Sequence, residues 1–190
     1  MYVSRTMDYD TLYKLATSIR LKGYTNADWA DYKTDRRSMS GFVLSLGSGA
    51  ISWSSKMQLR VALSSTEAEY KGAAVASYEV VWLKRILKDL GVPIKDLILL
   101  YYDNMTSIHL AQKYTTVFHT HTKHIEVHYH FIRERDHAGD VNLQHINTNL
   151  QIADIFRKAL RVNKLRQFMV DLGLTIAALP SLKGRTTQNE

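Results

Sequence analysis

Leu97-Ile98-Leu99-Leu100-Tyr101-Tyr102 is an unbroken apolar run that ends in Asp103. A strand with one wet face alternates apolar and polar residues, so a continuous run marks a central strand covered on both sides. This restricts the chain to layered α/β architectures in which helices flank a sheet.

The flanking segments supply the layers. Residues 19–29 read as a strand entering a turn-rich loop over 30–40, and Gly41 to Leu46 as a second strand. Gly47-Ser48-Gly49 has the glycines that a tight hairpin demands, and Ala50 to Ser54 alternates as a third strand. A long helix is expected from Thr66 to Leu90, stopped by Gly91 with Pro93 beyond. At about 100° per residue, Ala73, Ala76, Val80, Leu83, Leu87 and Leu90 share one stripe, with Glu67, Lys71, Arg85 and Asp89 opposite. After the buried strand the pattern predicts a short helix over 104–113, a helix over 125–135, a strand over 141–146 and a helix over 150–160. An amphipathic helix over 164–172 and a polar, disordered stretch over 181–190 complete the chain. The strand order is expected to be mixed.

A chain of 190 residues can bury one substantial core and is short for two, so one domain with tails is expected. No stretch approaches the roughly 18 apolar residues of a membrane span, and Met1-Tyr2-Val3-Ser4-Arg5 lacks a signal-peptide core, so a soluble, intracellular protein with no membrane partner is expected. Cysteine is absent, so a metal could be held only through oxygen or nitrogen. The net charge of +7 suits a polyanionic partner, because neutralising phosphates releases counterions. The basic residues are dispersed, however, over Arg36-Arg37, Lys56, Arg60, Lys84-Arg85 and Lys123.

Three carboxylates stand where a core would not choose them. Glu69 lies in the apolar stripe of the long helix, whereas Glu67 is rotated to the face assigned to solvent. Thr66 with Glu69 also spells a capping box, which would explain Glu69 without chemistry. Asp103 ends the buried strand, at the edge where ligands gather in such sheets, and equally could cap the helix starting near Asn104. Asp154 falls in the first turn of a helix, where the macrodipole already favours it.

Seven stretches place these residues in a wider pattern. They are Gly23-Tyr24-Thr25-Asn26-Ala27-Asp28-Trp29-Ala30, Arg36-Arg37-Ser38-Met39-Ser40-Gly41, Ile51-Ser52-Trp53-Ser54-Ser55-Lys56, Ala62-Leu63-Ser64-Ser65-Thr66-Glu67-Ala68-Glu69-Tyr70, Tyr102-Asp103-Asn104, Thr122-Lys123-His124-Ile125-Glu126 and Gln151-Ile152-Ala153-Asp154-Ile155. Together, in this order over about residues 20 to 172, they closely resemble the ribonuclease H domains of copia-type retrotransposon Pol polyproteins. The resemblance implies a ribonuclease H-like fold, a five-stranded mixed sheet flanked by helices, spanning residues 19–173. Residues 1–18 would be the remnant of a junction with reverse transcriptase, and residues 174–190 a tail. It implies an RNA/DNA hybrid as substrate, the reverse transcriptase portion of the same polyprotein as partner, and a cytoplasmic, virus-like-particle or nuclear location. It also implies four acidic residues holding two Mg²⁺ (or Mn²⁺) ions, of which Glu69, Asp103 and Asp154 match three, and RNA contacts from Ser65 and Thr66. Two such ions activate a water and stabilise the leaving oxygen of a cleaved phosphodiester.

The fourth position departs from the pattern. The family's Asp-x-Asp pair reads here Asn26-Ala27-Asp28. An amide offers one neutral oxygen and a donor NH₂ where a carboxylate offers two anionic oxygens. Asp28 is a poor substitute ligand, since residues i and i+2 on a strand are about 6.6 Å apart whereas a Mg–O bond is about 2.1 Å. Arg157 is a second departure, where the family usually has a small hydroxyl residue. Histidines 119, 121, 124, 128 and 130 could suggest zinc, with His124 and His128 spaced i, i+4, but the glutamate between them is one place away from the zinc-protease pattern. An integrase-like strand transferase shares the carboxylate logic, and the order of the motifs argues against it. Two readings stay open: a two-metal hybrid-cutting nuclease, degenerate at Asn26, and a non-catalytic domain that binds hybrid or scaffolds reverse transcriptase.

Overall fold

The computed structural model describes residues 8–14, 19–30, 34–104 and 123–176. In chain order the elements are β1 (Tyr9–Thr11), β2 (Leu21–Asp28), β3 (Met39–Leu46), β4 (Gly49–Met57), α1 (Ser65–Asp89), β5 (Ile98–Tyr102), α2 (Lys123–His137), β6 (Val141–His145), α3 (Val162–Asp171) and β7 (Leu174–Ile176). Two 3₁₀ turns, Thr148–Leu150 and Ile152–Phe156, lie between β6 and α3. The five-stranded sheet runs β4-β3-β2-β5-β6, with β2, β3 and β4 antiparallel and β5 and β6 parallel to β2. The expected mixed sheet with flanking helices is what the chain forms.

The order follows from the connections. A tight turn at Gly47, whose φ of 61° suits glycine, joins β3 to β4. Parallel strands need a crossover, and α1 supplies it between β4 and β5, as α2 lies between β5 and β6. The inward stripe of α1 is the one expected: Ala73, Ala76, Val80 and Leu83 are buried against Leu44, Ile98, Leu100 and Tyr102. Leu87 is only partly buried and Leu90 is exposed, so the stripe ends before the helix does. On the other side of the sheet, Tyr24 and Val43 pack with Ile152, Ala153, Phe168 and Leu172.

Several expectations are corrected. Glu67, placed in solvent by the wheel, is buried, because its carboxylate accepts from the Leu63 amide at 2.7 Å and pairs with Lys71 at 2.7 Å. The N-cap of α1 is Ser64, two residues earlier than the Thr66 cap considered above. The helix expected over 150–160 is replaced by the 3₁₀ turn Ile152–Phe156, because Gln151 is extended and its side chain caps the turn at Ala153. In β5, Leu99 and Tyr101 are only half-buried, so the layer opposite α1 is the thinner one. Tyr9–Thr11 and Leu174–Ile176, from the segments assigned to the junction and the tail, pair as an antiparallel ribbon. The helix over 104–113 and the tail over 181–190 fall outside the described residues. Among the described residues no helix is long and apolar enough to cross a membrane.

Gly41 decides how closely the Asp154 turn approaches the sheet. A Cβ there would lie 3.0 Å from the Phe156 Cβ and 3.1 Å from the Ala153 carbonyl oxygen. Gly41→Ala is expected to cost about 1–3 kcal/mol by overpacking, read as a Tm lower by several degrees in thermal denaturation. An unchanged Tm would show that the turn shifts freely.

Candidate functional site

Asn26 sits near the end of β2, the strand hydrogen-bonded to β3 on one side and to β5 on the other. It is buried, and its Oδ1 accepts from the Ala27 amide at 2.8 Å. Its Nδ2 donates to Asp103 Oδ2 at 3.1 Å and to Asp154 Oδ1 at 3.1 Å. Two carboxylates only accept, so the amide must turn its NH₂ toward them, and both amide hydrogens are used. The strand that should bring a fourth anion therefore brings a donor.

Asp154 has no exposed surface. Its turn is anchored by Gln151, equally buried, whose Nε2 donates to the Thr25 carbonyl at 3.1 Å, one residue before Asn26. Ser55 of β4 donates its hydroxyl to the Phe156 carbonyl and holds the far end of the turn. Residues i and i+3 eclipse on a 3₁₀ turn, which brings Arg157 over Asp154. Arg157 donates from Nε to Asp154 Oδ1 at 2.9 Å, and its Nη2 stands 2.8 Å from the same oxygen. Its Nη1 is in contact with Asp28 Oδ1. Lys158 Nζ stands 2.7 Å from Asp154 Oδ2, with Lys164 further out at 3.9 Å. Burial pushes the Arg157 guanidinium down to about 10, which leaves it charged at neutral pH. Burial, then the neighbouring charge of Asp154, pushes the Asp103 carboxyl up, opposed in part by the Asn26 hydrogen bond.

Ser64 caps α1 by accepting from the Glu67 amide at 3.1 Å, and Glu69, two residues further on, reaches toward β5. Its Oε2 accepts from Tyr102 Oη at 3.2 Å and Asn104 Nδ2 at 2.6 Å, which draws it to the end of β5 beside Asp103. Ser65 is exposed and Thr66 half-buried at the start of α1. His119 and His121 lie outside the described residues, while His128 is half-buried and His130 exposed.

The residues present do not fit a pair of divalent ions. Asn26 points hydrogens at the two carboxylates, Asp28 is engaged by Arg157, and both oxygens of Asp154 already face nitrogen. Among the described residues no group of three His, Asp or Glu side chains is arranged to hold a metal ion.

The chain is similar along most of its length to known proteins. It is 36% identical over 174 residues, 92% of the chain, to the Pol polyprotein of transposon RE1 from Arabidopsis thaliana. It is 42% identical over 144 residues, 76% of the chain, to that of transposon TNT 1-94 from Nicotiana tabacum. The chain belongs to the retrovirus-related Pol polyproteins of transposons. It spans 12% and 11% of the length of those two relatives. No family model matches it. Among solved structures it superimposes on the N-terminal ribonuclease H domain of a Mycobacterium tuberculosis protein with TM-score 0.51 and 14% identity, covering 73% of this chain and 91% of that one. A compost-metagenome ribonuclease H1, solved in complex with RNA/DNA hybrid, gives TM-score 0.52 at 14% identity, covering 72% and 93%. These likenesses show a ribonuclease H fold.

Within this Pol segment, sequence reasoning singled out Arg157 without finding its partners, and passed over Lys158 and Gln151 as individuals. Lys158 carries no signal in sequence beyond its i+4 spacing from Asp154. Gln151 is the exception, since a long polar residue just before an Ile-Ala-Asp turn is a capping candidate. Its loss strands the Thr25 carbonyl in the interior, so Gln151→Ala is expected to lower stability by about 1–3 kcal/mol in urea unfolding. A change below about 0.5 kcal/mol would contradict the anchoring role.

Proposed function

We propose that this Pol segment is a copia-type ribonuclease H-like domain that binds RNA/DNA hybrid and, with its present residues, does not cut it by two-metal hydrolysis. The observation that carries this reading is the Asn26 amide donating to both Asp103 and Asp154. Glu69, Asp103 and Asp154 occupy the catalytic positions that the family resemblance assigns, but the fourth anion is missing and its place holds a donor. Hydrolysis with two Mg²⁺ or Mn²⁺ ions needs anionic oxygens that bridge or flank the metals, and an amide cannot supply them.

Hybrid binding is supported by different features. The net charge is +7, and a largely apolar cleft of about 390 Å³ between β4 and α1 includes Lys56, Arg60 and Gln58 in its lining, while Lys71 there is paired with Glu67 at 2.7 Å. Lys56 and Arg60 are exposed there and free to meet phosphates, while Ser65 and Thr66 stand at the nearby start of α1. Lys84 contributes less, since it is paired with Asp140 at 2.7 Å. The compost enzyme, which shares the fold, is the one described as a hybrid complex. The reverse transcriptase portion of the same polyprotein is the proposed partner in the longer chain.

A labelled RNA/DNA hybrid incubated with the protein in Mg²⁺ or Mn²⁺ should stay intact while being retained in a filter-binding assay. Lys56→Ala with Arg60→Ala should weaken retention and flatten its salt dependence by up to about two units of log–log slope. Cutting that disappears in Asp103→Asn would overturn the non-hydrolytic reading. Absence of hybrid binding at low salt would overturn the binding reading.

A further inference from the structure

The two departures from the family pattern, Asn26 and Arg157, meet at one carboxylate. Asp154 Oδ1 accepts from Asn26 Nδ2 and Arg157 Nε, Arg157 Nη2 stands 2.8 Å from the same oxygen, and Oδ2 faces Lys158 Nζ at 2.7 Å. Nitrogen thus faces both oxygens of this carboxylate, Oδ1 through two hydrogen bonds and an ion pair and Oδ2 through lysine ion pairs alone. Both substitutions shift the site in the same electrostatic direction, one removing a negative charge and the other adding a positive one.

Arg157 is also fixed from its far side. Its side chain is 7% exposed and its fork spans Asp154 and Asp28, two carboxylates that do not otherwise share a partner here. The planar guanidinium suits such a span, because its donors are set in a rigid fork. A divalent ion ligated by Asp154 would need an oxygen at about 2.1 Å, and would have to displace a nitrogen now bound there.

We infer that Arg157, assisted by Lys158, is a built-in counter-cation that occupies the metal position at Asp154, so that the carboxylate cluster is ordered without divalent ions and reverting Asn26 alone does not admit one. This rests on the reading of the segment as a ribonuclease H-like domain, and adds a second lock to the one that Asn26 provides. The chemical class being excluded is the hard divalent cation, and the excluding group is a side chain of the same turn.

Mn²⁺ binding by calorimetry and Mn²⁺-dependent Tm separate the two locks, with the full chain used throughout. Wild type and N26D should show no Mn²⁺ binding below about 10 mM and no Tm change. N26D/R157Q should bind Mn²⁺ and gain about 4 °C or more at saturating metal, and adding Asp154→Asn should abolish the gain. N26D/R157K retains a cation at the same position, so it should bind at least tenfold more weakly than N26D/R157Q, or not measurably where the glutamine variant does not fold. Mn²⁺ binding by N26D alone, or by N26D/R157K at the strength of N26D/R157Q, overturns the counter-cation role while leaving the Asn26 reading intact. A folded N26D/R157Q that takes up no Mn²⁺ overturns it as well. Mn²⁺ binding by wild type that Asp154→Asn removes overturns both.

Discussion

A carboxylate with no contact to water needs donors or cations in place of its hydration, since an isolated buried charge costs many kcal/mol. Asp154 is in that position, and much of the architecture around it follows from this constraint. β2 reaches it through Asn26, and its own turn reaches it through Arg157 and Lys158. Gly41, lacking a side chain, allows the turn to lie on the sheet closely enough for these contacts to form. Removing one partner from such an arrangement costs more than the pair contributes, because it leaves the remaining charge buried and uncompensated.

The sheet order makes this convergence possible. β2 is flanked by β3 and β5, so a side chain near its end lies beside the end of β5, where Asp103 stands, and beneath the turn that follows β6. α1 adds Glu69 from the other layer, held by Tyr102 and Asn104. Hence residues 26, 69, 103 and 154, distant in sequence, gather at one end of the sheet. Such a gathering of anions calls for cations. Here the chain carries its own, and the same fold therefore supports a site whose order does not depend on an added ion.

What could be read from sequence was what several neighbouring residues express together. The apolar run before Asp103 reappears as β5, although Leu99 and Tyr101 are only half-buried, and the glycine-bearing hairpin at 47–49 and the stripe Ala73, Ala76, Val80, Leu83 reappear as expected. Single-residue decisions were less legible. Glu67, expected in solvent, is buried at the helix start because the cap lies at Ser64, and a cap is decided by one hydrogen bond that no periodicity reports. The turn around Asp154 was mistaken for a helix because its brevity depends on Gln151 bonding to Thr25, a partner 126 residues away. Arg157 looked like an unexplained substitution for the same reason: its meaning lies in Asp28, at the end of β2. Asn26 was identified from the motif, but the direction of its amide could be fixed only once two acceptors were seen beside it.

The most direct test of a self-compensated carboxylate site is a crystal of the wild-type protein soaked in Mn²⁺ and measured at the manganese absorption edge. The account predicts no anomalous peak between Asp103 and Asp154, with the Arg157 guanidinium still bridging Asp154 and Asp28. A manganese peak ligated by Asp154, with Arg157 swung away, would contradict it.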